Sequence, residues 1–276
     1  MKHTMLSVPK ALAAVMLAAS LLSFPLVSRA SAQTSAAQAQ PDNSVASPVA
    51  SALQARLNKK QFKDVRVTVD NGLATLSGTV PLYIFKADAA KTALHTRGVT
   101  AVRNNVQVAG QNISDSQLQS KLSEKLTYDR VGYGNMFDAM SVNVNNGVVT
   151  LSGHAHDYPN YNSALALVAT TPGVKDLVDN VQVDPLSGFD NQTRFAVARA
   201  VYSYPTLNRY AIDPAAPIRI SVQNGHVELY GVVDDQADKD VAFMRANAVP
   251  GVFSVKNYLQ VANQAPEKPK QTALNQ

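Results

Sequence analysis

The sequence contains no cysteine. No disulfide can form and no lipid can be attached to a thiol, so the chain is predicted not to be a lipoprotein. It also lacks a phosphate-binding loop and a dinucleotide-binding fingerprint. Its Leu-Ser-Gly triplets at 76–78 and 151–153 are not nucleophile elbows, because the serine lacks the first glycine of G-x-S-x-G. These absences leave no recognisable motif for a catalytic or cofactor site, and no cofactor is predicted.

Long apolar runs are also scarce. The run at residues 11–27 is short for a membrane span of roughly 20 residues and is interrupted by Pro25. It follows a positively charged start and precedes an A-x-A cleavage signal at residues 30–32. Residues 1–32 are therefore predicted to be a cleaved signal peptide rather than a membrane anchor. We expect export to a bacterial periplasm, with full secretion as the alternative.

Two further stretches have few large apolar side chains. Residues 33–48 consist mainly of Gln, Ala, Ser and Pro, and residues 262–276 are similar. Such compositions bury too little apolar surface to offset chain entropy. We interpret them as a flexible linker and a disordered tail.

Between them lies a threefold internal repeat. Residues 72–108, 147–183 and 225–261 align without a gap. Each copy begins at an Asn-Gly pair, has a second glycine six residues later and a third twenty residues after that. The nine glycines of this frame are Gly72, Gly78, Gly98, Gly147, Gly153, Gly173, Gly225, Gly231 and Gly251. Because such repeats copy a backbone architecture, these glycines are predicted to be structural.

Each copy reads as helix, strand, strand, helix, strand. Alternating valines at 65–69 predict a half-buried strand, and Asn71-Gly72 predicts a type I′ turn that places Val67 opposite Leu76. The other copies allow the same register. Amphipathic helices precede and follow each hairpin, and the third glycine is predicted to end the second helix as its C′ residue.

The predicted fold class is α+β. Three tandem αββαβ units span residues 49–110, 113–185 and 190–261, each a three-stranded sheet covered on one face by two helices. The strand–helix–strand step is expected to be a right-handed crossover. Units this small bury only about 60% of their unfolded surface, so neighbouring units are expected to pack on one another.

This arrangement resembles the BON domain, named after bacterial OsmY and nodulation proteins. The residues that carry the match in the first copy are Val67, Val69, Gly72, residues 76–78, Gly98, Val99 and residues 102–108, with counterparts in the other copies. The chain departs from the family pattern in having three copies, in Tyr230 replacing the serine of L-S-G, and in two insertions around 128–140 and 203–217.

The resemblance implies a non-enzymatic envelope protein linked to osmotic and other stress. Such proteins are thought to bind anionic phospholipid or other envelope surfaces, or to act as chaperones or protein-interaction modules. The charge distribution supports binding to anionic phospholipid, because residues 48–110 contain nine basic and three acidic residues, a net charge of +6. The candidate lipid-binding residues are Arg56, Lys59, Lys60, Lys63, Lys86, Lys91 and Arg97. The alternative is that these are ordinary solvated faces.

The other two units differ in charge. Residues 113–185 contain four basic and eight acidic residues, and residues 190–261 contain seven of each. The opposite charges of the first and second units predict contact between such units, within one chain or between chains. Nucleic acid is not predicted as a partner, because the signal peptide directs export and no binding motif is present.

The insertions concentrate aromatic residues. Tyr133, Phe137, Tyr204 and Tyr210 are candidate contacts for unfolded or envelope proteins, because aromatic rings are favoured at interfaces. The alternative is that each insertion packs as a lid on its own unit.

His154 and His156 form the one cluster that suggests metal chemistry. They share a face of a strand, but the sequence indicates no third ligand, and a zinc site needs three or four. They are a weak candidate, and no metal site is predicted.

Overall fold

The computed structural model describes residues 47–111, 113–130, 135–185, 187–213 and 217–262. The predicted signal peptide lies outside these residues, as do most of the predicted linker and tail. The three repeats belong to one compact unit. No helix in the described ranges is long and apolar enough to cross a membrane.

The elements follow the predicted order in each unit. The first unit contains α1 (Pro48–Arg56), β1 (Val65–Asp70), β2 (Leu73–Val80), α2 (Tyr83–Leu94) and β3 (Ala101–Val108). The second contains α3 (Asp115–Tyr128), β4 (Ala139–Asn145), β5 (Val148–Ala155), α4 (Tyr158–Thr170) and β6 (Asp176–Val183). The third contains α5 (Gly188–Tyr202), β7 (Ile218–Gln223), β8 (His226–Val233), α6 (Gln236–Asn247), β9 (Ser254–Asn257) and β10 (Gln260–Val261). The predicted α+β class is confirmed.

Each sheet is built around the second strand of its unit. That strand pairs antiparallel with the strand before it and parallel with the strand after the helix. Val67 lies opposite Leu76 as predicted, and Asn71 and Gly72 have the positive φ values, 47° and 81°, of a type I′ turn. In the third unit the last strand is divided into β9 and β10, which both pair with β8.

Both helices of each unit cover one face of its sheet. In the first unit Leu53 of α1 and Ala89 of α2 share a buried cluster with Leu76 and Val106 of the sheet. Arg66 on the opposite face is exposed. The valine alternation therefore separates core from solvent as the sequence predicts.

The third glycine of each unit has a different role from the predicted one. The α2 helix ends at Leu94 with His95 as its C-cap, so Gly98 lies beyond the C′ position. Val99 N donates to Thr96 O at 3.0 Å, closing a β-turn in which Gly98 is the third residue with φ +90°. Type II turns require a positive φ at that position, which explains the glycine.

Neighbouring units touch. The Lys86 Nζ of α2 lies 2.8 Å from Asp176 Oδ2 in the second unit, and Tyr83 packs against the core of that unit. The opposite charges of these units predict contact between them, and this ion pair confirms it within one chain.

Candidate functional site

The basic residues of the first unit occupy its surface in two groups. Arg56 ends α1, and its Nη1 donates to His95 O at 2.7 Å and to Thr96 Oγ1 at 3.3 Å. This ties the end of α1 to the end of α2, where Lys91 and Arg97 are exposed. One group of cations thus lies where the two helices end.

The second group lies beside an open groove of about 450 Å³. Lys60 and Lys63 line it together with the apolar residues Val80, Pro81 and Ala109. Lys59 is exposed next to them. Long basic side chains beside apolar surface can lay their methylene stems on it while keeping the charge in water.

Lys86 is the one predicted lipid-binding residue that the structure places elsewhere. Its side chain is only 17% exposed and pairs with Asp176 at the junction of the first two units. Because its charge is balanced by that carboxylate, Lys86 contributes to packing between units. The remaining six residues, Arg56, Lys59, Lys60, Lys63, Lys91 and Arg97, are exposed and are called the basic surface below.

Among the candidate interaction residues that the structure describes, Phe137 and Tyr210 are buried and Tyr204 is partly buried, so these three do not form an exposed aromatic surface. Phe137 is 7% exposed and packs in the core of the third unit, with its ring 5.2 Å from that of Phe195. It therefore joins two units rather than covering its own. Tyr133 lies outside the described residues.

The second insertion closes over its own unit. Tyr210 is 7% exposed, its hydroxyl donates to Asp238 Oδ2 at 2.5 Å, and that hydroxyl accepts from Asp234 N at 2.8 Å. Tyr204 is partly buried against the same core, with the Arg245 guanidinium 5.2 Å from its ring centre. Phe137 and Tyr210 are therefore buried rather than presented to a partner, and the second insertion packs on its own unit.

His154 belongs to a polar cluster at the junction of the second and third units. Its Nδ1 lies 3.2 Å from Asp184 Oδ1, and Gln223 Nε2 donates to the same oxygen at 2.8 Å. His156 faces Phe137 instead, with ring centres 5.6 Å apart. No group of three or more metal-ligating side chains is found in the described parts of the chain.

Asp184 is the centre of that cluster. Burial alone would raise the pKa of its carboxyl, but hydrogen bonds from His154 and Gln223 and the charge of Arg194 hold that pKa below its usual value. The hydrogen bond to Asp184 raises the pKa of His154 above its usual 6.5, against the opposing effect of burial. The pair therefore favours a charged imidazolium and a charged carboxylate.

Sequence reasoning missed this cluster, although one signal was present. Arg194 lies on the apolar face of α5, three and seven residues before the buried Val197 and Val201. A cation at a core position of a helix indicates a buried anionic partner. Asp184 gave no comparable signal, since it simply follows β6.

The raised pKa of His154 makes the stability of this junction depend on pH. A group whose pKa is raised on folding stabilises fully below its unfolded value, and that contribution is lost as pH rises through the folded pKa. We expect the free energy of unfolding of the wild-type protein to decrease as the pH rises from about 6.5 through the raised pKa of His154. Urea unfolding across this range measures it.

His154→Gln should remove this pH dependence, whereas His95→Gln, a change at an exposed residue of the first unit, should keep it. Equal slopes for wild type and His154→Gln would contradict the assignment.

Two comparisons with known proteins agree with this architecture. The profile of the BON domain matches residues 42–110, 114–185 and 205–263. Osmotically-inducible protein Y of Escherichia coli is 30% identical over 163 residues, covering 58% of this chain and 78% of that protein.

Solved structures give only weak likenesses. The C-terminal domain of CdsD, a structural protein of the type III secretion system of Chlamydia trachomatis, is 21% identical with a TM-score of 0.22, covering 73% of this chain and 91% of that one. The PrgH periplasmic domain is 11% identical with a TM-score of 0.20, covering 72% of this chain and 95% of that one. TM-scores this low support no conclusion about function.

The BON domain profile and the Escherichia coli relative together show that the chain belongs to the BON domain family.

Proposed function

We propose that this protein is a non-enzymatic protein of the bacterial periplasm that binds anionic phospholipid during osmotic or envelope stress. The observation that carries the proposal is the basic surface, six exposed cations on one small unit whose net charge is +6. The name of the Escherichia coli relative supports the link to osmotic stress. The predicted signal peptide supports the periplasmic location.

The size of the effect can be bounded. Each basic side chain close to an anionic membrane contributes about 1 kcal/mol to the free energy of binding. This contribution decays with distance from the membrane over about one Debye length. Asp64 lies 3.9 Å from Lys63 and offsets part of that charge. Four or five cations facing a membrane together would give binding that is useful but sensitive to salt.

The test is flotation of residues 33–276 with anionic and zwitterionic vesicles at low and moderate salt. Wild type should bind only anionic vesicles and release with salt. Replacing Lys59, Lys60 and Lys63 with Gln should weaken binding by about 3 kcal/mol, roughly 100-fold.

The matched control replaces Lys121, Lys175 and Lys239 with Gln, which removes the same charge from the other two units. This control should bind nearly as wild type. Equal loss in both triple variants would show an effect of net charge alone, and absence of binding to anionic vesicles would overturn the proposal.

A second candidate is a chaperone or protein-interaction scaffold. An exposed ring pair in the third unit favours it: Phe253 is 71% exposed and stacks on Phe189, itself 48% exposed, with ring centres 6.3 Å apart. These rings, rather than the buried aromatic residues of the insertions, would contact an unfolded chain. Such binding would depend little on salt, unlike binding through the basic surface.

A further inference from the structure

A groove of about 490 Å³ lies between the sheets of the second and third units. Its lining includes Met140 from β4, Arg219 from β7, and Tyr230, Val232 and Tyr258 from the outer face of the third sheet. This volume is in the range of sites that hold small ligands or a few residues of a peptide. The groove is distant in sequence from the basic surface and shares no residue with it.

One edge of the Arg219 guanidinium makes no hydrogen bond to the described residues. Its Nη1 donates to Asn135 O at 2.7 Å and to Asp138 O at 3.2 Å, which fixes the plane of the guanidinium. Among the described residues, its Nε and Nη2 have no hydrogen-bond partner, and no carboxylate lies within 4 Å of its nitrogens. The nearby Asp138 carboxylate is occupied by Arg130 and by His156 N.

An unmatched guanidinium of this kind favours a planar anion. The Nε and Nη2 groups point the same way and can donate side by side to the two oxygens of one carboxylate. Arg219 is half-buried, and desolvation lowers its pKa, so an anion bound there would meet less competition from water than at an exposed arginine.

The two tyrosines beside Arg219 are peculiar to the third unit. Their rings are stacked, with centres 5.1 Å apart and planes at 22°. In the repeat frame Tyr230 replaces Ser77 and Ser152, and Tyr258 replaces Asn105 and Asn180. Because two units fold with polar residues at both positions, the fold does not require these rings. Two large rings at neighbouring positions next to the same groove indicate a role in binding.

We propose that this groove binds the C-terminal end of an extended polypeptide. The terminal carboxylate is held by the Nε and Nη2 of Arg219, and the apolar last side chain packs on Tyr258 beside Met140 and Val232. The C-terminal end of a chain suits the groove because its carboxylate lies next to its last side chain. In the groove, the guanidinium of Arg219 likewise lies next to aromatic rings. This activity goes beyond the proposed lipid binding and does not depend on it.

The test is fluorescence anisotropy of residues 33–276 with a labelled hexapeptide that ends in Phe, prepared as the free acid and as the amide. We expect the free acid to bind at least 10-fold more tightly, because a charge-assisted pair is lost in the amide. Arg219→Gln should abolish this preference. Arg66→Gln, the same change at the equivalent exposed position of the first unit, should leave it intact.

Tyr258→Asn gives a second variant that keeps the fold, since asparagine occupies this position in the other units. It should weaken binding of both peptides several-fold while leaving the unfolding transition unchanged. Equal binding of acid and amide, no binding of either, or binding that survives both Arg219→Gln and Tyr258→Asn would overturn the proposal. Displacement of the peptide by inorganic phosphate where acetate has no effect would assign the groove to phosphate and also overturn it.

Discussion

Replacing Asp184 with alanine is expected to lower the free energy of unfolding of the second and third units by about 3–5 kcal/mol. Asp184 is 2% exposed and follows β6 of the second unit. Its Oδ2 accepts from Arg194 Nη2 at 3.1 Å and from Ser221 Oγ at 3.2 Å, both in the third unit. One carboxylate therefore fixes two units together.

The large effect follows from what the substitution leaves behind. Arg194 is 2% exposed, and its Nε already has no partner among the described residues. Without Asp184 the remaining acceptor for Arg194 among the described residues is the Val222 carbonyl, so a full positive charge stays buried without an anion. Leaving such a charge costs far more than the net stability of the intact pair.

Urea unfolding followed by circular dichroism measures the loss, with separate transitions analysed separately because tandem units need not unfold in one step. Asp184→Asn keeps the shape and should fall between alanine and wild type. Asp129→Ala removes an exposed carboxylate of the same unit, 52% exposed beside Lys125, and should change stability by less than about 1 kcal/mol. If Asp184→Ala and Asp129→Ala were equally stable, the junction would not depend on this carboxylate.

The fold of each unit could be predicted from the sequence because its determinants are local. An Asn-Gly pair specifies the hairpin turn, and the turn fixes which residues face each other, so Val67 and Leu76 pair as predicted. The prediction for the third glycine is wrong for a similarly local reason. A helix end and a β-turn just beyond it both call for a positive φ, and the sequence does not separate them.

Contact between neighbouring units could be predicted, but the residues that form the junctions could not, because these depend on how whole units face each other. Lys86 has the sequence context of a solvated lysine on a helix, and only the adjacent Asp176 removes it from the basic surface. The sequence around Phe137 likewise indicates an aromatic residue in a loop, and only the position of the third unit shows that this residue is buried. The residues of the basic surface could be predicted, because counting basic and acidic residues along the sequence needs no knowledge of packing.

Replacing Gly231 with alanine is expected to destabilise the third unit by about 3 kcal/mol or more. Gly231 lies in β8 with φ +119°, a conformation that residues with a Cβ rarely adopt. A Cβ built there would lie 1.8 Å from the Pro217 carbonyl oxygen, which is backbone and has little freedom to move. The second glycines of the other units, Gly78 and Gly153, meet backbone carbonyls at 1.9 and 2.0 Å. The repeat thus keeps glycine at this position because two backbones approach closely there.

Gly188→Ala is the matched control. Gly188 is the first residue of α5, and a Cβ there would meet nothing within 4 Å. Alanine at that position should leave stability unchanged or raise it by up to about 1 kcal/mol, because it reduces the freedom of the unfolded chain. Urea unfolding of both variants separates steric conflict from the general cost of losing a glycine. A Gly231→Ala protein as stable as Gly188→Ala would mean that the start of β7 can shift to admit a side chain, and the second glycine of the repeat would then need another explanation.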